Sequence, residues 1–160
     1  MTVKFHPNIA NLMIGKGILA AGYNAPSGIT IYSGVQPTAQ EIASNWSLYN
    51  STKTNLLAHY RGAVWTQPLD GAAKFCSITT FPVAVSPINS GTGTWCIVWS
   101  NNPTIESLAL ATIPNEVFIV GEVSSLAGSG IVRFNPDSVF VTGTAKAISD
   151  GVITAGISIA

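Results

Sequence analysis

Short runs rich in Val, Ile and Thr recur along the chain, and Gly, Pro, Asn or Asp separate one run from the next. Branched side chains fit a pleated sheet and lose rotamer freedom in a helix. The pattern therefore predicts a mainly β fold, an antiparallel, jelly-roll-like β-sandwich with one short helix and an N-terminal arm. The predicted strands span residues 28–33, 56–66, 73–81, 94–100, 117–123, 131–134, 138–144 and 152–159.

The order of polar and apolar positions also predicts how several strands are placed. Both faces of the strand at 94–100 are apolar, which favours a central position in the sheet. The last two strands are expected to form a hairpin around a turn at Asp150 and Gly151. In the strand at 56–66, the residues expected to share one face are Leu56, Ala58, Tyr60 and Val64.

A capping box marks the start of the predicted helix. The Thr38 hydroxyl can accept from the amide of Glu41, and the Glu41 carboxylate can reach back to Thr38. Ile42 and Trp46 follow at four-residue spacing. Residues 38–49 are therefore predicted to form the main helix, with its apolar side laid onto the sheet.

Residues 1–27 are predicted to be an N-terminal arm, and residues 28–160 a single β-sandwich domain. Gly15, Gly17 and Gly22 weaken the short helix that the apolar positions of the arm suggest, because each glycine costs about 1 kcal/mol relative to alanine. An apolar arm with little intrinsic structure needs a surface to dock on. That surface is either its own domain or a neighbouring subunit.

The charge balance excludes two classes of protein. Seven basic and seven acidic side chains cancel, and 9% of residues are charged, against roughly 25% in an ordinary soluble domain. With 47% hydrophobic residues, the chain is too apolar for disorder and lacks the basic surplus that binds nucleic acid. Zero net charge removes self-repulsion, which favours dense packing in a homo-oligomer or against other subunits. The alternative is a neutral, Ser/Thr-rich monomer such as a secreted β domain.

No membrane partner is expected from the apolar pattern. The longest apolar stretch near the N-terminus, residues 11–22, is interrupted by Lys16 and by glycines. A membrane span needs about 20 apolar residues, and the same stretch makes a poor signal peptide. We therefore expect a chain that stays in the cytoplasm until it is assembled.

Known catalytic patterns do not occur in the sequence. It has no Gly-x-Ser-x-Gly elbow, and Asp70, Asp137 and Asp150 fall in predicted turns, where aspartate caps its own backbone. A thiolate pair of Cys76 with His59 is the weak alternative. We predict that the chain is not an enzyme and has no catalytic, cofactor-binding or metal site.

The two cysteines, Cys76 and Cys96, both lie in predicted strands. Their spacing leaves open whether they form a disulfide or are buried thiols that act as small hydrophobes. Two cysteines twenty residues apart, with His6 and His59 far from both, match no zinc-binding spacing.

Sugar binding is the more serious rival to a structural role. Sugar sites use exposed aromatic rings as stacking platforms, and the candidates are Trp46, Trp65, Trp95 and Trp99. Filling of the core is the other explanation for such residues. Solvent exposure of Trp65 or Trp46 on a concave surface would decide between the two.

The segment from Ile29 to Ala39, with the sequence ITIYSGVQPTA, resembles a motif of many small tailed-phage virion proteins. In that family a strand ending Ile-Tyr-Ser/Asp-Gly-x-Gln-Pro leads into a short Ala-rich helix. A strand that begins with leucine follows, here at residues 55–58. The central aromatic strand at 94–99 and the glycine-turn hairpin around 119–130 are also similar to the family pattern, as is the segment 139–143 before the closing strand.

The resemblance covers residues 28–159 and is specific at 31–37, while the arm and a long stretch at 44–54 are additions to it. It implies a non-enzymatic structural protein of the virion, assembled in the host cytoplasm. The expected role is a capsid decoration or cement subunit that contacts the major capsid protein. The alternative is a tail, neck or baseplate component, and a third reading is a glycan- or receptor-binding module.

Overall fold

The computed structural model describes residues 4–5, 26–45, 55–66, 74–104 and 118–154. Within them the class is confirmed: the chain is mainly β and largely antiparallel, with one short helix. The elements are β1 (Lys4–Phe5), β2 (Ser27–Tyr32), α1 (Ala39–Ser44), β3 (Leu56–Thr66), β4 (Lys74–Thr80), β5 (Gly91–Thr92), β6 (Trp95–Trp99), β7 (Phe118–Ser125), β8 (Val132–Phe134), β9 (Val139–Phe140) and β10 (Asp150–Thr154).

Eight strands form one strongly curved sheet in the order β1-β7-β6-β2-β3-β4-β10-β8. The last strand, β8, also pairs with β7, with Val123 opposite Val132 and Ser125 opposite Phe134. This pairing is parallel, unlike the others in the sheet, and it closes a ring of seven strands with β1 attached outside the ring. Closure removes most of the exposed sheet edges. Opposite walls of the ring pack together, as the layers of a sandwich do.

Alternation along β2 and β6 divides the apolar side chains between two cores. The inner core fills the ring and includes Ile29, Ile31, Cys96 and Val98. The outer core lies on the other face of the same strands, where Ile42 of α1 packs. Its members are Tyr32, Ala39, Ile42, Leu56, Trp95, Ile97, Trp99, Phe118 and Val120. The central position of β6 is confirmed, since it pairs with β2 and β7 and is buried on both faces.

The prediction of which β3 residues share one face is wrong at both ends of the strand. Leu56 lies in the outer core, whereas Tyr60 lies in the inner core, because the register with β2 shifts between them. A second shift occurs at Gly62, which has φ +92°, a conformation that favours glycine. This shift directs the side chain of Trp65 into the inner core and leaves Val64 only partly buried.

The capping box forms as predicted, but the helix is shorter than expected. The Glu41 amide donates to Thr38 Oγ1 at 3.1 Å, and the Thr38 amide donates to the Glu41 carboxylate at 2.7 Å. The helix ends at Ser44, because Asn45 leaves helical geometry and its side-chain amide donates to the Glu41 carbonyl at 3.4 Å. Residues 46–49 of the predicted helix lie outside the described part of the chain.

The predicted C-terminal hairpin is wrong. The strand expected at 138–144 is limited to β9, because a turn follows in which the Thr144 amide donates to the Val141 carbonyl at 3.0 Å. β9 pairs with β5, and β10 lies between β4 and β8. Asp150 is thus the first residue of β10 and not part of a turn. Its carboxylate forms an ion pair with Arg133 of β8.

Candidate interaction surface

Most of the large exposed apolar side chains belong to two segments of the described chain. The large hydrophobic residues with the greatest exposure are Val35, Phe81, Val83, Ile88, Leu126, Val139 and Val141. Five of these seven belong to two segments, residues 81–92 and 137–146. Single exposed apolar residues are normal on a protein surface, whereas a cluster of them marks an interaction site.

Backbone hydrogen bonds hold these two segments side by side. Val85 and Lys146 form a reciprocal pair, with N–O distances of 3.1 and 2.9 Å. The hydroxyls of Ser90 and Thr142 lie 3.0 Å apart, and β5 pairs with β9 beyond them. We call the surface formed by residues 81–92 and 137–146 the valine face.

An open groove of about 330 Å³ lies on the valine face. It is lined by Asn135, Val139, Val141, Thr144, Ala145, Lys146, Ala147 and Ser149. Val139 is 45% and Val141 53% exposed, while Phe140 between them is buried. The groove therefore presents methyl groups and neutral polar side chains, a composition suited to contact with another protein surface.

The one cationic side chain of the groove, Lys146, is already engaged inside the protein. Its Nζ donates to the Val139 carbonyl at 2.6 Å and to the Asp137 carboxylate at 3.2 Å. It also lies 5.4 Å from the ring centroid of Phe140 and 5.7 Å from that of Phe134, within cation–π range. Because 15% of the side chain is exposed, it offers little charge to a ligand.

The carboxylate of Asp137 caps the turn that leads into β9. The amide of Val139 donates to it at 2.9 Å, as expected for an aspartate in a turn. That backbone hydrogen bond, and then the hydrogen bond from Lys146, lower the pKa of Asp137. Glu41 also has the capping role that was predicted for it, whereas Asp70 lies outside the described residues.

His59, the base in the alternative thiolate pair with Cys76, is engaged by other groups. Both ring nitrogens of His59 have other partners, Thr30 Oγ1 at 2.9 Å and the Pro103 carbonyl at 2.8 Å. Because Thr30 is fully buried, water does not reach the hydroxyl group that contacts His59.

Of the two alternatives for the cysteines, Cys96 is a free, buried thiol and not part of a disulfide. Burial raises the pKa of the Cys96 thiol, and a backbone hydrogen bond with Gly121 opposes the effect. Nothing is described of the side chain of Cys76. No group of three or more His, Cys, Asp or Glu side chains in the described residues could hold a metal ion.

The three tryptophans in the described residues do not supply the exposed rings that a sugar site needs. Trp65 and Trp95 are fully buried and Trp99 is 1% exposed. Trp95 stacks on Tyr32, with 4.2 Å between ring centroids, and its Nε1 donates to the Ser33 carbonyl at 3.1 Å. Core filling is therefore their role in this structure. Trp46 lies outside the described residues.

Sequence reasoning missed the valine face, although a signal for it was present. Val139 and Val141 are two residues apart and flank Phe140, which is the alternation of a half-buried strand. The pattern alone does not say which side faces the solvent. Packing of Phe140 against Phe134 in an edge-to-face contact, with centroids 5.1 Å apart, fixes the valines on the outer side.

Among the described residues, no helix is both long enough and apolar enough to cross a membrane. Comparison of the chain with family models, with curated proteins and with solved structures finds no match.

Proposed function

We propose that this chain is a non-enzymatic structural subunit of a tailed-phage virion, and specifically a capsid decoration or cement subunit. The observation that carries the proposal is the resemblance of the segment ITIYSGVQPTA to the motif of small virion proteins. The subunit would act by burying apolar surface at the junctions between other subunits. The symmetry of the shell multiplies that contribution.

The local geometry of the motif supports a role in contact. Gly34 has φ +90° and lets the chain turn sharply after β2. Thr94 Oγ1 donates to the Gly34 carbonyl at 2.5 Å, which ties the turn to the strand beside it. The next residue, Val35, is 93% exposed. A firmly held turn that presents an apolar side chain to solvent is suited to docking against a neighbour.

The valine face gives a second reason. A protein with zero net charge and an exposed cluster of apolar side chains has little to keep copies or partners apart. A neighbour that covers this surface removes it from water. The contact is then stabilised by about 25 cal/mol for each Å² of apolar area buried.

Locating the chain in a whole-virion reconstruction tests the proposal. Icosahedrally arranged copies on the head support decoration. Three-, six- or twelve-fold rings identify the alternative, a tail, neck or baseplate component, and overturn the decoration role. A purified particle that lacks the chain overturns the virion role altogether.

The contact surface can be tested on the same particles. Val141→Asp places a charge on the valine face and should lower the occupancy of the subunit. Leu126→Asp is the matched control, since Leu126 is 43% exposed but lies in the turn between β7 and β8. Equal occupancy for both variants would show that the valine face is not part of the interface. Deletion of residues 1–22 tests in the same way whether the arm contributes.

A further inference from the structure

The outer edge of β7 is shared by two different strands. One edge of β7 pairs with β6 along Phe118–Glu122. Along the opposite edge, β8 pairs with Val123, Ser124 and Ser125, whereas Ile119 and Val120 pair with β1. In the described residues, β1 is thus the strand that covers the first half of this edge.

The attachment of β1 is short, and its link to the domain is long. The pairing consists of Lys4 opposite Val120 and Phe5 opposite Ile119. Residues 6–26 connect β1 to β2, and these 21 residues (26 − 5) can span at most about 70 Å when extended. A domain of this size has a radius of gyration of only about 15 Å. The link is therefore long enough to reach the same edge on an adjacent molecule.

We propose that β1 is an exchangeable strand, and that its second site is the β7 edge of another copy of this chain. The backbone groups of Ile119 and Val120 are the same in every copy, so the pairing within one chain and the pairing between two chains use the same contacts. Addition of a strand to a sheet edge is a recurrent mode of protein recognition. Zero net charge places no general repulsion between two copies.

Exchange depends on how closely the copies are held. A covalent link of 21 residues keeps a strand near its own site, at an effective concentration on the order of millimolar. In dilute solution β1 therefore stays on its own β7. Where copies are held closer than that, as in a crystal, a filament or a shell, β1 of one copy pairs with β7 of the next. This exchange is a property of the purified chain and does not depend on the virion proposal.

Two single-cysteine additions test the exchange directly. Lys4→Cys is made in one batch of the full chain and Val120→Cys in another, and the two are mixed under mild oxidation. A disulfide between positions 4 and 120 then forms only when β1 of one molecule lies on β7 of another. On a non-reducing gel, we expect heterodimer to increase from about 10 µM to about 1 mM protein, because the upper end of this range reaches the effective concentration.

Three matched controls define the result. Ser125→Cys replaces Val120→Cys as the off-register partner, because it lies five residues along β7 where β8 pairs. It should give less heterodimer at about 1 mM, because β1 pairs at Ile119 and Val120 and not at Ser125. The unaltered chain reports any dimer formed through Cys76 or Cys96. The double variant Lys4→Cys/Val120→Cys should close a disulfide within one chain and lose the concentration-dependent dimer.

Two outcomes would overturn the proposal. Equal heterodimer from Val120→Cys and from Ser125→Cys at the higher concentration means that β1 does not select the β7 edge of a neighbour. Failure of the folded double variant to close its own disulfide means that β1 does not hold the register on which exchange depends. Neither outcome bears on whether the chain belongs to a virion, which the particle reconstruction decides.

Discussion

The hydroxyl of Thr30 lies 2.9 Å from Nδ1 of His59, and this contact joins β2 to β3 on the outer face of the sheet. His59 Nε2 lies 2.8 Å from the Pro103 carbonyl, which can only accept, so Nε2 carries the hydrogen of the neutral ring. Nδ1 is then the acceptor, and Thr30 donates to it. Trp99 Nε1, which can only donate, gives its hydrogen to Thr30 Oγ1 at 2.9 Å.

Replacing Thr30 should therefore destabilise the fold. Thr30→Val keeps the shape of the side chain but removes an acceptor from Trp99 and a donor from His59. Loss of a buried hydrogen-bond partner costs about 1–3 kcal/mol. Urea denaturation should report a free energy of unfolding lower by that amount, with an unchanged dependence on urea concentration.

Thr79→Val is the matched control for that substitution. Thr79 lies on β4, is exposed, and donates to the Val64 carbonyl at a long 3.4 Å. Its replacement should change the free energy of unfolding by no more than about 0.5 kcal/mol. If the two valine variants were equally stable, the Thr30 hydroxyl would not have the structural role assigned to it.

The thiol of Cys96 should resist alkylation in the folded protein. It is buried in the inner core, and burial raises its pKa, so the reactive thiolate is suppressed. Treatment with iodoacetamide at pH 8, followed by peptide mass spectrometry, should find Cys96 unmodified in buffer and modified in denaturant. Ser90→Cys adds a thiol at an exposed position of the valine face as the reactive control. Labelling of Cys96 at the rate of that control would contradict the burial.

We expect Asp137 to account for part of the stability that the folded protein loses at low pH. Its pKa is lowered below the ordinary value of 3.8, chiefly by the Val139 amide. A carboxylate with a lowered folded pKa stabilises the native state above the unfolded pKa, and this contribution is lost as the pH falls through the folded pKa. Asp137→Asn should therefore lose less stability than the unaltered chain when the pH is lowered from 5 to below 3.

Lys146→Gln separates the two causes of that lowered pKa. It removes both effects of Lys146, the hydrogen bond and the positive charge, and leaves the Val139 amide in place. Unfolding measured across the same pH range should then keep part of the acid dependence seen in the unaltered chain, because the Val139 amide still donates to the carboxylate. A flat profile for Lys146→Gln, like that expected for Asp137→Asn, would assign the effect to Lys146 instead.

The turn that closes the ring should not tolerate a larger residue at Gly130. A Cβ there would lie 2.7 Å from the Ser124 backbone nitrogen and 2.8 Å from the Glu122 carbonyl oxygen. These are backbone atoms of β7 and cannot move independently, so Gly130→Ala should cost about 1–3 kcal/mol. Ser129→Ala, at the exposed neighbouring position, should leave the thermal unfolding temperature nearly unchanged. A similar temperature for both variants would show that the turn can shift to make room.

Much of this fold follows from neighbouring residues in the sequence. Two-residue alternation along β2 accounts for the position of Ile29 and Ile31 in the inner core and of Tyr32 in the outer core. The capping box fixed the start of α1, because its hydrogen bonds join residues only three positions apart. Such features depend on local geometry, so they can be predicted without knowledge of the rest of the chain.

Other features arise where distant segments meet, and the tertiary structure decided them. The turn of the chain at Gly62 reversed the alternation, so Trp65, a candidate sugar platform by sequence, lies in the inner core. The partner of β9 proved to be β5 and not β10, and the exposed side of Val139 and Val141 followed from that pairing and from the packing of Phe140. The parallel contact of β7 with β8 closed the ring. Periodicity indicates that a segment forms a strand, but the choice of partner and of the buried face depends on how all strands fill one core together.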